Sequence, residues 1–197
     1  MAGAILSPIA VINNTLGTFA TIPANSIDFT HDGSGLPAFT SGVTDFGTYV
    51  GTSPAHAGFA IGNAWASAGG VFTGVIDYDL GASYTITQVA LWNQDGGANQ
   101  GINSFDILTS NNAAFVGAVN VGSFNATDSS LNVQTFALTS SVGEFVRLQI
   151  NSNHGATCCT TLGEIAFDVA AVPEPASLAL LGLGLAGLGF SRRRKSV

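Results

Sequence analysis

Short apolar runs alternate with turn-forming residues along the chain from Val71 onward. The segments "FVRLQI" and "EIAFDV" both have a strict two-residue period. The apolar positions that share one face are Val146, Leu148 and Ile150 in the first segment and Ile165, Phe167 and Val169 in the second. Such alternation is typical of strands that bury one face. Strands separated by Gly-, Asn- and Ser-rich turns predict an all-β sandwich.

The remaining predicted strands are shorter or less regular. They are "VIDYDLG", "YTITQVALWN", "SFDILTS", "FVGAVNVGSF" and "VQTFALTS". Before residue 71, "HDGSGLPAFTSG" predicts a long loop, and "AHAGFAIGNAWASAGG" predicts a loop with one short strand. No segment before residue 176 shows a sustained helical period.

The last part of the chain has a different pattern. Residues 176–190 carry no charge and are followed by a basic end, Arg192, Arg193, Arg194 and Lys195. As a helix this apolar run would be about 22 Å long at about 1.5 Å per residue. That length falls short of a hydrocarbon core of about 30 Å, and the basic end would remain cytoplasmic. The alternatives are a helix packed on the domain and a permanent tail anchor.

The motif Val172-Pro173-Glu174-Pro175, the apolar helix 176–190 and the basic end 192–195 together resemble the PEP-CTERM sorting signal, over residues 171–197. The resemblance implies recognition by an exosortase in the inner membrane and cleavage near the motif. The body would then reach the cell surface or the extracellular matrix, often alongside exopolysaccharide. The tail is therefore interpreted as a removable address rather than as part of the fold.

An exported protein also needs an N-terminal signal. The segment "MAGAILSPIAVINNT" has no basic residue and is interrupted by Pro8. Residues 1–26 are therefore interpreted as a segment whose signal peptide is either degenerate or missing from this sequence.

Charge excludes one class of partner. Residues 1–175 hold one basic residue, Arg147, and all twelve acidic residues, which gives a net charge of −11. A nucleic-acid-binding domain needs a basic surface, so nucleic acid is excluded as a partner.

The order of motifs in the body resembles the discoidin domain, also called the factor V/VIII C-type or galactose-binding-like domain. The motifs are "DLG", "YTITQVALWN", "INSFDILTSNNAAF", "FVRLQI" and "LGEIAF". The resemblance implies a discoidin-like jelly-roll β-sandwich over residues 27–170, followed by the short C-terminal apolar helix. The basic residue that often follows the apolar strand in this family is absent, because Asn93 and Gln94 stand there.

The resemblance also implies a structural Ca²⁺ ion between an early loop and the closing strand. In this chain, Asp32, carbonyl groups around Ser34 and the carboxylate of Glu164 would supply the oxygen ligands that Ca²⁺ prefers. The alternative is that Asp32 only shapes a Gly-rich turn and that Glu164 is a solvated strand residue.

A sugar site in a β-sandwich typically combines an exposed aromatic ring with a few polar groups. Trp92, Asn93, Gln94 and Asp95 stand at a predicted strand end, and Trp65 is a second aromatic candidate. The alternative for both tryptophans is a place in the core.

Cys158 and Cys159 are adjacent. In an oxidising compartment they can form a vicinal disulfide, stay as two free thiols or link to another chain, and we favour the vicinal bond. His31, His56 and His154 lack the spacing of a metal site and are interpreted as loop residues.

No catalytic motif for a nucleophile, a zinc protease or a phosphate loop occurs in the sequence. The leading hypothesis is therefore a non-enzymatic, exported module that binds a polysaccharide, as the discoidin resemblance implies. The alternatives are a structural or adhesive matrix protein without a small ligand and, third, a glycoside hydrolase.

Overall fold

The computed structural model describes residues 3–20, 25–58, 62–93, 99–128 and 131–172. The predicted apolar helix 176–190 and the basic end lie outside these ranges. Within them, no helix is long and apolar enough to cross a membrane. The described part is almost entirely β-structure, so the predicted all-β class is confirmed.

Within the described ranges, nine strands and two short helical segments form the fold. The strands are β1 (Ala4–Leu6), β2 (Ala10–Asn14), β3 (Trp65–Ala66), β4 (Gly74–Trp92), β5 (Ile102–Ser110), β6 (Val119–Asn125), β7 (Gln134–Asn153), β8 (Thr161–Leu162) and β9 (Glu164–Ala171). A 3-10 helix covers Ile27–Thr30, and the helix α1 covers Phe46–Gly51.

Two long strands, β4 and β7, contribute to both layers of a sandwich. In the first layer, the first half of β4, Gly74–Asp79, pairs with β2 on one side and with the second half of β7 on the other. The second half of β7 pairs in turn with β5, and β5 pairs with β6. In the second layer, the second half of β4, Tyr84–Trp92, pairs with the first half of β7 on one side and with β9 on the other. Strand β9 pairs in turn with β1. The pairing of β4 with β7 is interrupted between Asp79 and Tyr84, where Gly81 has a φ of 82°. A left-handed backbone at this bend suits glycine because it has no Cβ atom.

The main core lies between the inward faces of the two layers. Val146, Leu148 and Ile150 of β7 are buried there, which confirms the period-two prediction for this strand. In β9, Ile165 and Phe167 belong to the same core.

Strand β9 is buried on both faces, which the alternating pattern did not predict. A second apolar cluster on the outer face of the second layer contains Phe46, Tyr49, Trp92 and Ala166. Helix α1 supplies Phe46 and Tyr49. Asp45 is the N-cap of this helix, and its side chain accepts a hydrogen bond from the Thr48 backbone N–H at 2.7 Å. Because this cluster covers the outer face of β9, the polar residues of β9 are shielded from water.

Candidate functional site

A groove of about 510 Å³ lies between the β1–β2 connection and the loop that follows the 3-10 helix. We call it the Asp32 groove. Its lining residues are Ser7, Pro8, Ile9, His31, Asp32, Gly33, Leu36, Pro37, Ala38, Phe39 and Ser41. Hydroxyl, imidazole and carboxylate groups therefore share the groove with apolar side chains, as in small-ligand sites in general.

Three contacts hold the walls of the groove in place. The backbone N–H of Ser7 donates to the Ser41 hydroxyl at 3.0 Å, and that of Ile9 donates to the Asp79 carbonyl at 2.8 Å. The Nδ1 atom of His31 lies 3.0 Å from the Pro8 carbonyl oxygen, which can only accept a hydrogen bond. The proton of the neutral ring is therefore on Nδ1. The buried Nε2 atom of His31 has no hydrogen-bond partner among the described residues.

The turn at Asp32 connects the groove to the closing strand. The Asp32 carboxylate accepts from the Ser34 backbone N–H at 2.7 Å and from the Ser34 hydroxyl. The Gly33 backbone N–H donates to the two carboxylate oxygens of Glu164 at 3.2 and 3.1 Å. The structure therefore brings together Asp32, Ser34 and Glu164, the three residues that the sequence analysis grouped as metal ligands.

Glu164 is fully buried, so the alternative that it is a solvated strand residue is wrong. Burial raises the pKa of Glu164 well above its usual range, and the nearby charge of Asp32 raises it further, whereas the Gly33 N–H opposes the shift. Burial, together with the Glu164 charge, also raises the pKa of Tyr49 to about 12. Within the described ranges Arg147 is the only Lys or Arg, and it pairs with Asp77 at 2.6 Å.

The side chains at this turn carry donor atoms of the type that a hard cation such as Ca²⁺ binds. Two carboxylates and a hydroxyl are oxygen donors, which Ca²⁺ prefers. No group of three or more His, Cys, Asp or Glu side chains lies close enough to hold a metal ion in the described part of the chain. A cation at Asp32 and Glu164 would therefore take its further ligands from backbone carbonyls or water.

Both candidate tryptophans belong to the interior. Trp92 and Trp65 are 0% exposed. The indole N–H of Trp92 donates to the Pro54 carbonyl at 2.8 Å, and that of Trp65 donates to the Thr18 hydroxyl at 3.2 Å. The expectation of an exposed aromatic platform at either position is wrong, because Trp65 lies in the main core and Trp92 packs in the second cluster with Phe46 and Tyr49 of α1.

Asn93 is a buried positioning residue. Its side-chain amide donates to the carbonyls of Ile102 and Thr127 at 2.7 and 2.8 Å, and its oxygen accepts from the Ile102 N–H at 2.7 Å. Its amide group is thus committed to the backbone of neighbouring segments. The other two residues of this candidate set, Gln94 and Asp95, lie outside the described residues.

Cys158 and Cys159 are joined to each other by a disulfide, the first of the three states considered for them. The loop around them is anchored through its backbone. The Cys158 carbonyl accepts from the Gly70 N–H at 2.6 Å, and the Cys159 carbonyl accepts from the Asn153 side chain at 3.1 Å.

Of the sorting motif, the structure describes Val172, which is 39% exposed just beyond β9. Pro173, Glu174 and Pro175 lie outside the described residues, as do the basic residues at the end of the tail.

Sequence reasoning missed most of the groove. Its lining comes from two segments, residues 7–9 and 31–41, of which only the Asp32 turn had been singled out. No spacing rule connects Ile9 or Phe39 to Asp32, because tertiary folding alone makes them neighbours.

Two family models match the chain. The F5/8 type C domain matches residues 42–165, and the PEP-CTERM protein-sorting motif matches residues 171–195. These matches confirm the two resemblances seen in the sequence. Signals of the second kind are processed by exosortase, and the motif points to an exported protein. No curated protein matches the chain.

Solved structures share the fold at low sequence identity. The C-terminal domain of a chitobiase from Bacteroides fragilis has a TM-score of 0.57 and 15% identity, over 85% of this chain and 99% of that chain. The CBM32 of AlyQ, in complex with 4,5-unsaturated mannuronic acid, has a TM-score of 0.53 and 18% identity, over 83% and 96%. The CBM32-1 and CBM32-2 domains of Clostridium perfringens ZmpB, in complex with GalNAc, have a TM-score of 0.52 and 11% identity, over 82% and 33%.

Proposed function

The chain belongs to the F5/8 type C domain family, and from this premise we propose that it is an exported, non-catalytic carbohydrate-binding module. The observation that carries the proposal is the Asp32 groove, which combines apolar side chains with hydroxyl and carboxylate groups on this fold. Two structures with the same fold hold sugars, 4,5-unsaturated mannuronic acid in one and GalNAc in the other.

The charge around the groove favours a neutral saccharide. Asp32 is exposed at the groove, and Glu164 lies behind it. The one base of residues 1–175, Arg147, is held by two hydrogen bonds to Asp77. With no cation bound at Asp32 and Glu164, a uronic acid would meet carboxylates without a compensating positive charge, whereas the hydroxyls of a neutral sugar can donate to Asp32.

A glycan array with the full chain, followed by calorimetric titration of the best neutral oligosaccharide, tests this function. Phe39→Ala and Ile9→Ala remove apolar surface from the groove, and we expect each to weaken binding about tenfold, or about 1.4 kcal/mol. Val43→Ala is the matched control, because Val43 is 75% exposed and is not part of the groove lining.

Saturable binding that both groove variants weaken and the control retains supports the proposal. Equal affinity in all four proteins would remove the groove as the site, and an array without any signal would remove carbohydrate binding. Turnover of a glycoside would instead favour the hydrolase alternative.

We also propose that Asp32 and Glu164 hold a structural Ca²⁺ ion behind the groove. The support is electrostatic, since two neighbouring acids, one of them fully buried, have no Lys or Arg partner among the described residues. A basic group near Asp32, His56, has a pKa that burial lowers, although the charge of Asp32 opposes this shift. The ion would neutralise this repulsion and stabilise the Gly33 turn, which forms part of the groove wall.

The sorting signal supports a two-stage route to the cell surface. We propose that the tail holds the protein in the inner membrane until exosortase cleaves near Pro173-Glu174-Pro175. The released body would then reach the surface or the extracellular matrix, where an exopolysaccharide is a candidate ligand.

A structural or adhesive matrix role is the second candidate function. The observation that favours it is the low charge of the sequence stretch 107–143, in which Asp128 is the only charged residue. A blank glycan array together with self-association of the protein would support this role over ligand binding.

A further inference from the structure

The outer face of the first layer holds a second, smaller concavity of about 200 Å³. We call it the Asp106 pocket. Its lining residues are Ser104, Phe105, Asp106, Ser123, Phe124, Asn125 and Asn151. None of them lines the Asp32 groove, so the two are separate features of the surface.

Polar side chains reach the pocket because neighbouring strands turn their polar faces outwards there. In β5, Phe105 is fully buried in the main core, so Ser104 and Asp106 on either side of it belong to the outer face. In the adjacent strand β6, Asn125 lies opposite Ser104 and Ser123 lies opposite Asp106. Two rows of hydroxyl, amide and carboxylate groups therefore meet at the pocket.

A bulge in β7 adds a further amide. Two consecutive residues of β5 pair with Ser152 and Ile150 of β7, so Asn151 between them is an extra residue in that strand. Bulges redirect side chains, and they are frequent beside functional sites. Here the Asn151 side chain donates to Oδ2 of Asp106 at 2.9 Å.

The Asp106 carboxylate is held in one orientation by two amides. Besides Asn151, the Gln149 side chain donates to the same oxygen, Oδ2, at 3.2 Å. Gln149 also donates to the side-chain oxygen of Asn151 at 3.2 Å, which links the two amides. The network therefore fixes the position of Oδ1, the second carboxylate oxygen, as a pre-organised binding site requires.

Three polar groups of the pocket have no hydrogen-bond partner within the described part of the chain. They are Oδ1 of Asp106, the Ser123 hydroxyl and the Asn125 side-chain amide. A carboxylate oxygen accepts hydrogen bonds, whereas a hydroxyl and an amide both donate and accept. Sugar hydroxyls also donate and accept, so one sugar ring can satisfy groups of all three kinds.

Charge and size narrow the class of ligand. Asp106 is the only charged residue that lines the pocket, and Arg147, the only Lys or Arg of the described ranges, is bound to Asp77. An anionic ligand would therefore meet a carboxylate without a free base. The pocket is also smaller than the roughly 300 Å³ at which sites for drug-sized ligands begin, so it suits a single ring.

The pocket lacks the features of a protein-binding site. Such sites centre on accessible aromatic or arginine side chains in a desolvated core. Phe105 is fully buried, and the Phe124 ring packs against it at 5.5 Å between ring centroids. The groups that the pocket presents are therefore mainly polar.

We propose that the Asp106 pocket is a second site for a neutral saccharide, which binds one sugar ring through Asp106, Ser123 and Asn125. The choice of a saccharide rests on the proposed function, whereas the location rests on the geometry of the pocket. A polymer that reaches both the pocket and the Asp32 groove would bind more tightly than a single sugar, because its second contact forms within the complex.

NMR titration of the isotope-labelled full chain in detergent tests the proposal, with galactose, N-acetylgalactosamine and glucose as probes up to about 50 mM. We expect the side-chain amide signal of Asn151 and the backbone amide signal of Ser123 to shift saturably with at least one probe. The expected Kd is on the order of 1 mM, as is usual for so small a ligand.

Two variants and one control locate the binding. Ser123→Ala and Asn125→Ala each remove a group that makes no hydrogen bond within the described chain, so the fold should persist, and each should weaken binding about tenfold. Ser140→Ala is the matched control, because Ser140 is an exposed serine of β7 outside the pocket. Thermal unfolding verifies that all variants are folded.

The pocket and the groove are read separately in this experiment. Pocket shifts that both pocket variants weaken, and that Ser140→Ala and Phe39→Ala retain, support a second site. Shifts of Asp32 groove residues alone overturn the second site and leave the proposed function standing, and pocket shifts alone do the reverse. The second site is also overturned if no probe shifts the pocket signals, or if Phe39→Ala abolishes their shifts, which would make them an indirect effect of the groove.

Discussion

At the scale of single residues, the buried carboxylate of Glu164 is the feature that most needs compensation. It lies in the register opposite Trp92, and the Gly33 N–H is the hydrogen-bond donor that faces it. One neutral donor does not offset both the loss of water and the charge of Asp32. The pKa of Glu164 is therefore raised, and its ionised form is unfavourable in the folded protein unless a cation binds.

Glu164 should make stability depend on pH in a defined direction. Its pKa is higher in the folded than in the unfolded protein, so the folded state binds more protons between the two values. With a chelator present, stability should therefore fall as pH rises from about 4.3, the ordinary Glu value, through the raised one. Glu164→Gln should flatten this profile and melt higher than the wild type at neutral pH.

Thermal unfolding between pH 4 and pH 8 measures both effects, and Glu144→Gln, at the other glutamate of the described part, is the control. Added Ca²⁺ should raise the melting temperature of the wild type and leave that of Glu164→Gln unchanged. A wild type that is more stable at pH 8 than at pH 5 in chelator would contradict the assignment to Glu164. No response to Ca²⁺ would remove the proposed ion.

At the scale of elements, Asn93 shows how one side chain can join several segments. It stands directly after β4, and its three hydrogen bonds reach the start of β5 at Ile102 and the loop at Thr127. All three groups are backbone groups that would otherwise lack these partners. Asn93 therefore fixes where the β4–β5 connection leaves and re-enters the sheet.

Asn93→Ala should destabilise the fold by about 2–4 kcal/mol, because it leaves the buried Ile102 N–H without a partner. Asn151→Ala is the matched control, because its side chain is exposed and bonds only to Asp106 and Gln149; we expect a change within about 0.5 kcal/mol. Denaturant unfolding gives both values. Equal stability of the two variants would show that the amide of Asn93 has no special role in joining these elements.

The sequence predicted the strands better than it predicted their surroundings. The two-residue apolar period correctly predicted the second half of β7 and most of β9, because alternation shows directly which side chains face the core. It could not show that β7 runs unbroken from Gln134 to Asn153, since the bend near Gly143 looks like a turn. Nor could it show that α1 and its neighbours cover the outer face of β9.

The same limit explains the outcome at the candidate site. Asp32 and Glu164 are 132 positions apart, and only the resemblance to discoidin domains suggested that they meet. Trp92 was predicted at a strand end, which is correct, but its exposure depends on the separate segment around Tyr49 that covers it. Local patterns cannot report on such coverage, because it arises when distant segments pack.

At the scale of the whole molecule, charge separates the chain into parts with different tasks. Residues 1–175 carry all the acids, and the basic end carries four of the five bases. An acidic body of this kind is repelled by an anionic cytoplasmic membrane surface. The tail, in contrast, has an apolar run followed by a basic end, and both features favour membrane binding. On the proposed sorting route, removal of the tail would change the protein from a membrane-held to a freely diffusing molecule.

The cleavage step predicts a specific trapped form. Replacing Pro173, Glu174 and Pro175 by alanine should leave the tail attached, so the protein should accumulate uncut in the inner membrane of a host that has an exosortase. Immunoblotting of cell fractions with one epitope in the body and one after Val197 distinguishes the cut from the uncut protein. Ser177→Ala, two positions beyond the motif, should be cut like the wild type. Because an uncut tail would keep its basic residues in the cytoplasm on the proposed route, the body of the trapped form should be accessible to protease only from the periplasmic side. Normal release of the triple variant, or an intact chain in the cytosol, would contradict the sorting route.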